Sequence, residues 1–444
     1  MQQLDWSLLF EFIHEHKLEH KPLVVALSGG VDSVVLLHLF SQLKNHHKLN
    51  VQAIHVHHGL SENADNWQRQ VTNLCESWSI PLTVCPIKLV KKSRQSLEQL
   101  AREGRYLAFA NQLPNDAVVF TGHHQADQFE TFILRLMRSS GLTGLSAMKA
   151  LSQVPNKLAK EKQQLLARAL LNVPKADILQ YAQTHQLSWV EDESNADQRF
   201  DRNFVRNTLL PKFLNRWPLA TGAVAQSVEL LQQQQTLLTE YVKQDLAKCT
   251  VSCFAGIESL DLIKLAELSK NKQSALIRQF TLEQVGVYPS RTAVIEIVDN
   301  LITARDDAQP EVRLDKNWYL AIYDKKLMLK PARLIEVDSF QLAANQTHCF
   351  DETYLQSKFE IRSEQLNHFN IQFAHFSDKL QPNINSGSKK VKDLLKQAKC
   401  PPWLRQQIPL VYFEEKLIAV SDIVTDKHYL DKIEIKITKA INND

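Results

Sequence analysis

Residues Leu23 to Ser33 read Leu-Val-Val-Ala-Leu-Ser-Gly-Gly-Val-Asp-Ser, so an apolar run leads directly into a hexapeptide with two glycines. Five successive apolar residues predict a buried strand, and the apolar spacing from Ser33 to Leu43 predicts a helix after the loop. Adjacent glycines let backbone amides approach a phosphate, and a helix N-terminus adds unpaired amides and a positive dipole end. The stretch therefore predicts a phosphate-binding loop for a nucleotide.

The polar side chains of this loop have predicted roles as well. Serine hydroxyls can donate to phosphate, and Asp32 is interpreted as a Mg²⁺ ligand or as the N-terminal cap of the helix. A Ser-Gly-Gly turn alone would more simply join a strand to a helix. The loop lacks the Gly-Lys-Ser/Thr ending of a Walker A motif. The residues expected to contact the nucleotide here are Ser28, Gly29, Gly30, Val31, Asp32 and Ser33.

The first half of the chain alternates apolar runs with helical patterns, which is typical of a mostly parallel sheet covered by helices. The predicted strands are Leu23 to Leu27, Val51 to Val56, Pro81 to Pro86 and Ala117 to Thr121. The predicted helices are Ser33 to Leu43, Asp65 to Trp78, Ser96 to Gln112 and Ala126 to Arg138. We expect an α/β, doubly wound, Rossmann-like domain that binds ligands beyond the carboxyl ends of its strands.

The chain has 444 residues, more than one hydrophobic core usually organises. We expect an α/β catalytic domain at 1–217, a mainly helical middle domain at 218–333 and a small α+β domain at 334–444. Helical spacing from Gln226 to Leu246 and a hairpin at Trp318 to Leu329 mark the middle domain. A basic helix at Lys389 to Lys399, followed by strands near Leu410 to Tyr412 and Leu417 to Val420, marks the last one.

Composition limits the class of protein only loosely. The formal charge of +3 permits a nucleic-acid partner without requiring one. The six cysteines form no Cys-x-x-Cys pair, which favours a reducing cytoplasm. The N-terminus predicts an amphipathic helix, and no segment has the roughly 20 apolar residues that cross a bilayer. We expect a cytoplasmic protein without a membrane partner, either a monomer or a homodimer.

The loop resembles the pyrophosphate loop of the ATP pyrophosphatase (PP-loop) superfamily, and further segments resemble its tRNA(Ile)-lysidine synthetase family. These segments are His55 to Leu60, Ser96 to Tyr106, Gly122 to Thr131, Arg138 to Leu145, Glu191 to Asn195, Asp201 to Arg206, Lys392 to Leu395 and Pro401 to Leu410. The resemblance is dense from about Pro22 to Trp217 and good from Gly387 to Val420. Between these regions it rests on helical character alone.

The resemblance implies an ATP-dependent carbon–nitrogen ligase that uses ATP and Mg²⁺. Its RNA partner would be isoleucine tRNA with a CAU anticodon, contacted by the middle and C-terminal domains. The position-2 oxygen of the wobble cytidine would be adenylated, and L-lysine would then displace AMP to give lysidine. Two rivals remain: another PP-loop tRNA-modifying enzyme such as a thiolase, and a tRNA-binding protein that has lost catalysis. The missing Cys-x-x-Cys pair disfavours the first, and only Ala126, where the family has an acid, motivates the second.

Four residues are the catalytic candidates beside Asp32. Asp127 and Glu130 lie three apart, on one face of a helix, and the resemblance assigns them to lysine recognition and deprotonation. Acids favoured by the helix dipole are the alternative explanation. Arg202 and Arg206 lie four apart, so both guanidinium groups could reach one phosphate, carboxylate or adenylate.

Histidines and basic residues complete the candidate set. His55 and His57 are interpreted as nucleotide contacts, since they lack the His-x-x-x-His spacing of a zinc helix. Clustered lysines and arginines neutralise RNA phosphates, although a solvated helix face is the alternative explanation. The residues expected to bind RNA are Arg102, Arg105, Lys389, Lys390, Lys392, Lys396 and Arg405.

Overall fold

The computed structural model describes residues 4–57, 63–87, 97–156, 159, 161–191, 197–302, 310–334, 336–350, 357–382 and 387–439. The residues of three predicted motifs, 58–60, 96 and 192–195, lie outside this part of the chain. The chain divides into two compact units, Met1–Leu237 and Leu238–Asp444. The boundaries proposed for three domains stay a prediction.

The first unit is built on a six-stranded sheet in the order β3-β2-β1-β4-β6-β5. Its strands are β1 Leu23–Ala26, β2 Val51–His57, β3 Leu82–Pro86, β4 Val118–Phe120, β5 Leu151–Gln153 and β6 Leu165–Ala167. All neighbours pair in parallel except β5, which runs antiparallel to β6 at the sheet edge. The predicted α/β class and the four predicted strands are confirmed, whereas β5 and β6 were not predicted.

Helices cover this sheet. The helical segments from the N-terminus to residue 249 are α1 Ser7–Glu15, α2 Val31–His46, α3 Ala64–Ser77, α4 Leu97–Gln112, α5 Gln125–Met137 and α6 Leu142–Leu145, then Lys175–Thr184, Asp201–Phe204, a π turn at Val205–Leu209, Leu210–Arg216 and Ala220–Cys249. Helix α2 buries ten of its residues because it lies over β1 and packs between α1 and the helix Lys175–Thr184. This burial fixes the helix whose N-terminus follows the glycine loop.

The second unit begins with a five-stranded antiparallel sheet. In spatial order its strands are Thr250–Ser252, Glu258–Asp261, Lys326–Pro331, Trp318–Tyr323 and Glu311–Arg313. The accompanying helical segments are Phe254–Gly256, Leu262–Ala266, Lys270–Val285, Arg291–Glu296 and a π turn at Ile297–Leu301. The predicted hairpin is confirmed, and the three strands outside it were not predicted.

The rest of this unit is rich in strands. One sheet contains, in order, Phe340–Ala343, His368–Gln372, Leu410–Phe413, Lys416–Val420 and Val424–Thr425, a second contains Thr347–Cys349, Ser357–Arg362 and Glu434–Lys439, and a third pairs Lys379–Leu380 with Lys389–Lys390. The helices are Val391–Gln397 and a 3₁₀ segment at Pro402–Gln407. The prediction of one basic helix from Lys389 was wrong at its start, because Lys389 and Lys390 form ladder bonds with the facing strand. Within the described ranges, none of the helices combines the length and apolarity that crossing a bilayer requires.

Candidate active site

The glycine loop connects the end of β1 to the start of α2. Gly29 has φ of +93°, in the left-handed region that glycine adopts without strain. The Ser33 hydroxyl accepts from the Gly29 amide at 3.1 Å, lies 3.1 Å from the Ser28 hydroxyl and donates to the Gly30 carbonyl at 2.9 Å. Ser33 is therefore buried inside the loop and holds the shape of the loop. The sequence alone could not distinguish this structural role from direct contact with phosphate.

The strands β2 and β4, which flank β1, contact the two ends of the loop. The His55 ring is buried and its Nδ1 lies 2.8 Å from the Leu27 carbonyl, so Nδ1 carries a proton and donates. Burial lowers the pKa of His55, which keeps the ring neutral. At the end of β4, a Cβ added to Gly122 would lie 2.8 Å from the backbone carbon of Asp32. The start of α2 can approach β4 this closely only because residue 122 is glycine.

Asp32 contacts two basic side chains at the start of α2. Its Oδ1 accepts from the Lys175 Nζ at 2.5 Å and lies 3.6 Å from the Nε2 of His124. Burial raises the pKa of Asp32, but His124 and the Lys175 ammonium outweigh burial and lower it overall. The carboxylate is therefore ionised at neutral pH, and its side chain keeps 29% of its surface exposed.

His124 caps the next helix, α5. Its Nδ1 accepts from the Ala126 amide at 3.2 Å, while the Asp127 carboxylate accepts from the His124 amide at 3.0 Å. Because Nδ1 accepts, the ring proton lies on Nε2, which points at Oδ1 of Asp32 and at Oδ2 of Asp127, 3.5 Å away. One buried imidazole thus lies between the nucleotide loop and the first acid of α5.

Asp127 and Glu130 form a closed network of ion pairs with Arg202 and Arg206, which we call the acid–arginine network. Arg202 donates through Nη2 to Asp127 at 2.9 Å and through Nε to Glu130 at 2.7 Å. Arg206 donates to the same two carboxylates at 2.9 and 2.6 Å. The two arginines belong to the segment in which the helix Asp201–Phe204 passes into the π turn, a feature often found at functional sites. The structure therefore brings all four predicted residues together.

Burial limits what each member of this network can touch. Glu130 has 0% side-chain exposure, so the expectation that it contacts lysine directly does not fit this arrangement. Burial raises the pKa of Asp127, but His124, Arg202, His123 and Arg206 together hold it well below its ordinary value. Desolvation lowers the pKa of His123 to about 3 despite attraction to Asp127, and repulsion from Arg168, Arg202 and Arg105 adds to the shift. The site thus contains an ionised Asp127 and a neutral His123.

The other predicted ligands lie farther from this centre. The Nε2 of His57 lies 3.2 Å from Asp65 at the end of β2. Arg102 and Arg105 are exposed on α4, and the Arg102 guanidinium lies 5.5 Å from the Tyr106 ring centre. Although Arg105 as a residue is exposed, desolvation of its guanidinium group lowers its pKa, Tyr106 raises it, and the charges of Arg102 and Arg202 lower it further. Arg105 therefore lies within electrostatic reach of the acid–arginine network.

The basic residues of the second unit differ in exposure. Lys390, Lys392 and Lys396 are exposed, whereas Lys389 donates to Gln397 at 3.1 Å. Arg405 is half-buried and donates to the Cys400 carbonyl at 3.2 Å, so it supports the proline turn.

Sequence reasoning missed Lys175 and the position of His124. Lys175 lies 143 residues from Asp32, and nothing in the local sequence connects them. The signal for His124 was present in its position before Asp127, because an N-cap followed three residues later by an acid is a capping-box pattern.

Comparison with known proteins identifies the family. The chain is 32% identical over 413 residues to the tRNA(Ile)-lysidine synthase of Haemophilus influenzae (strain PittEE), which covers 89% of this chain and 93% of the relative. The chain belongs to the tRNA(Ile)-lysidine synthase family. The synthase of Serratia proteamaculans (strain 568) is 35% identical over 91% of both chains, and that of Histophilus somni (strain 2336) is 36% identical over 89% of this chain and 93% of its own.

Family models match the chain in three successive regions. A PP-loop domain matches residues 7–213, the TilS substrate binding domain matches 260–328, and the TilS substrate C-terminal domain matches 369–436. Among solved structures, a U34-tRNA thiolase from Methanococcus maripaludis covers 51% of this chain and 80% of its own at 15% identity and a TM-score of 0.38, a likeness too weak to bear on function. The predicted resemblance to tRNA(Ile)-lysidine synthetases is thereby confirmed, and the matched PP-loop domain includes the whole acid–arginine network.

Proposed function

We propose that this protein is a tRNA(Ile)-lysidine synthase, a ligase that joins L-lysine to position 2 of the wobble cytidine in isoleucine tRNA with a CAU anticodon. The products are lysidine, AMP and pyrophosphate. The observation that carries the proposal is identity of 32% or more to such synthases over about nine-tenths of the chain. The glycine loop and the acid–arginine network, which His124 connects, supply groups suited to the two halves of the reaction.

The first half is adenylation of the base, and the glycine loop suits it. The exposed amides at the start of α2 and the Ser28 hydroxyl would hold the departing pyrophosphate while the cytidine oxygen attacks the α phosphate. Asp32 fits a Mg²⁺ ion brought in with ATP, because Mg²⁺ in such sites takes one or two carboxylates besides phosphate oxygens. Bound there, the ion would neutralise phosphate charge. Across the residues that the structure describes, no group of three or more His, Cys, Asp and Glu side chains is arranged to hold a metal ion alone.

The second half is attack by an amine of lysine on the activated carbon, after which AMP leaves. The Asp127 side chain is nearly buried at 8% exposure, yet it is more accessible than Glu130 and would attract the substrate ammonium. A proton must leave that amine before it can attack. The guanidinium groups of Arg202 and Arg206 would stabilise the anionic adenylate or the substrate carboxylate. Glu130 is assigned a positioning role, since its carboxylate accepts hydrogen bonds from both arginines.

The tRNA partner is supported by exposed basic side chains. Arg102 and Arg105 lie on the α4 surface in the first unit, and Lys390, Lys392 and Lys396 do so in the second. Such side chains neutralise backbone phosphates and make binding depend on salt. The cytoplasmic location stays a prediction, and the choice between monomer and homodimer stays open.

One incubation tests the proposal. The protein is mixed with ATP, labelled lysine and bulk tRNA, and the label is expected only in isoleucine tRNA with the CAU anticodon, together with AMP. An Asp32→Ala variant serves as the inactive control. A sulfur donor in place of lysine tests the thiolase alternative, which the missing Cys-x-x-Cys pair disfavours. Absence of lysine incorporation by the unmodified protein would overturn the assignment.

A further inference from the structure

Lys175 occupies a position that its own helix does not favour. It is the first residue of the helix Lys175–Thr184, where the positive end of the helix dipole disfavours a cation. Its ammonium nevertheless lies 2.5 Å from Asp32, the acid of the glycine loop. The unfavourable interaction of Lys175 with the helix dipole is therefore offset by its ion pair with Asp32, a residue distant in the chain. This arrangement points to a role for Lys175 at the glycine loop.

The surroundings of this ammonium suit a phosphate group. Asp32 is the second residue of α2, so Lys175 lies beside the N-terminus of α2 and at that of its own helix. Unpaired amides and positive dipole ends converge there. The Lys175 side chain keeps 36% of its surface exposed, so an anion arriving from solvent can reach it. An ammonium has three N–H donors, and the hydrogen bond to Asp32 uses one of them.

We propose that Lys175 is a nucleotide-binding residue that pairs with Asp32 before ATP arrives and donates to a phosphate oxygen of ATP or pyrophosphate once the loop is filled. The inference rests on the proposed function, because it assigns Lys175 to the adenylation half of that reaction. The alternative is that Lys175 only neutralises Asp32. The two roles predict different binding when Asp32 has no charge.

Measuring ligand affinity in the absence of turnover distinguishes phosphate binding by Lys175 from simple neutralisation of Asp32. ATP and pyrophosphate are titrated by calorimetry, with Mg²⁺ and without lysine or tRNA, into the unmodified protein and the variants Lys175→Met, Lys175→Arg and Lys44→Met. Lys44 is a matched control, since it lies near the other end of α2 and its ammonium donates to the Ser79 carbonyl at 2.7 Å. We expect Lys175→Met to weaken both ligands about tenfold or more, while Lys175→Arg retains most of the affinity and Lys44→Met all of it.

The decisive comparison adds Asp32→Asn. If Lys175 contacts phosphate, adding Lys175→Met to Asp32→Asn still weakens ATP binding several-fold. If it only neutralises Asp32, the added substitution changes nothing, and the proposal is wrong. Where affinity is too low for calorimetry, the rise in unfolding temperature at millimolar ATP gives the same comparison. Unmodified protein that binds ATP but incorporates no lysine would overturn the proposed function and leave the Lys175 result standing.

Discussion

Asp32 and Asp127 both lie near one nitrogen of a single imidazole: the Nε2 of His124 is 3.6 Å from the first carboxylate and 3.5 Å from the second. The ring is buried and its Nδ1 is occupied by the α5 cap. The same N–H group therefore faces one acid of the nucleotide loop and one acid of the acid–arginine network.

Replacing His124 with asparagine tests the contact of His124 with the two carboxylates separately from its role as the N-cap of α5. Asparagine is a strong N-cap, so α5 keeps its first turn, but the shorter side chain no longer lies between both carboxylates. We expect lysine incorporation to fall about tenfold or more, while the free energy of unfolding changes by less than about 1 kcal/mol. Single-turnover incorporation and urea unfolding measure the two effects. Activity and stability falling in step would contradict the separate role of the ring.

Glu130 supports both arginines, so its removal leaves two half-buried guanidinium groups with Asp127 as their remaining partner in the network. Glu130→Ala is expected to destabilise the protein by about 1–3 kcal/mol, because each half-buried guanidinium group loses a charge-assisted hydrogen bond. Urea unfolding of the purified variant measures the loss. Asp197→Ala is the matched control, since it breaks the surface pair with Arg199, whose side chain is 88% exposed. A similar loss for both variants would show that the Glu130 network is not specially stabilising.

The loop, α2 and the strands β1 to β4 could be predicted from sequence because each is set by a local pattern of apolar residues and glycines. The pairing of Arg202 with Asp127 could not, since it joins residues 75 positions apart and both also suit a solvated helix. Strands β5 and β6 have three residues each, and the polar residues Ser152, Gln153, Gln163 and Gln164 in or beside them interrupt the apolar pattern. The π turn at Val205–Leu209 has no sequence pattern of its own, yet it sets where Arg206 points.

Gly122 tests how tightly β4 supports the loop. A Cβ at this position would lie 2.8 and 2.9 Å from the backbone carbon and oxygen of Asp32, so the start of α2 must shift. We expect Gly122→Ala to cost about 1–3 kcal/mol of stability, as overpacking does, and to weaken ATP binding about tenfold or more. Calorimetric ATP titration and urea unfolding measure both. Gly141→Ala is the control, because nothing lies within 4 Å of its added Cβ. Normal ATP binding by Gly122→Ala would refute the close-approach argument.

His38 gives a pH dependence that is independent of the active site. Its Nδ1 lies 2.8 Å from the Tyr181 hydroxyl, where α2 packs on the helix Lys175–Thr184. Burial, followed by repulsion from His185, lowers the pKa of His38 to about 4, whereas an unfolded histidine titrates near 6.5. Below pH 6.5 the unfolded chain therefore binds a proton that the folded protein rejects, and stability falls as the pH drops toward 4, by up to about 1.4 kcal/mol per pH unit. His38→Gln keeps a polar group at this position but cannot titrate, so urea unfolding between pH 7 and 4.5 should show a shallower fall in stability. Equal slopes for the variant and the unmodified protein would mean that His38 does not drive the loss.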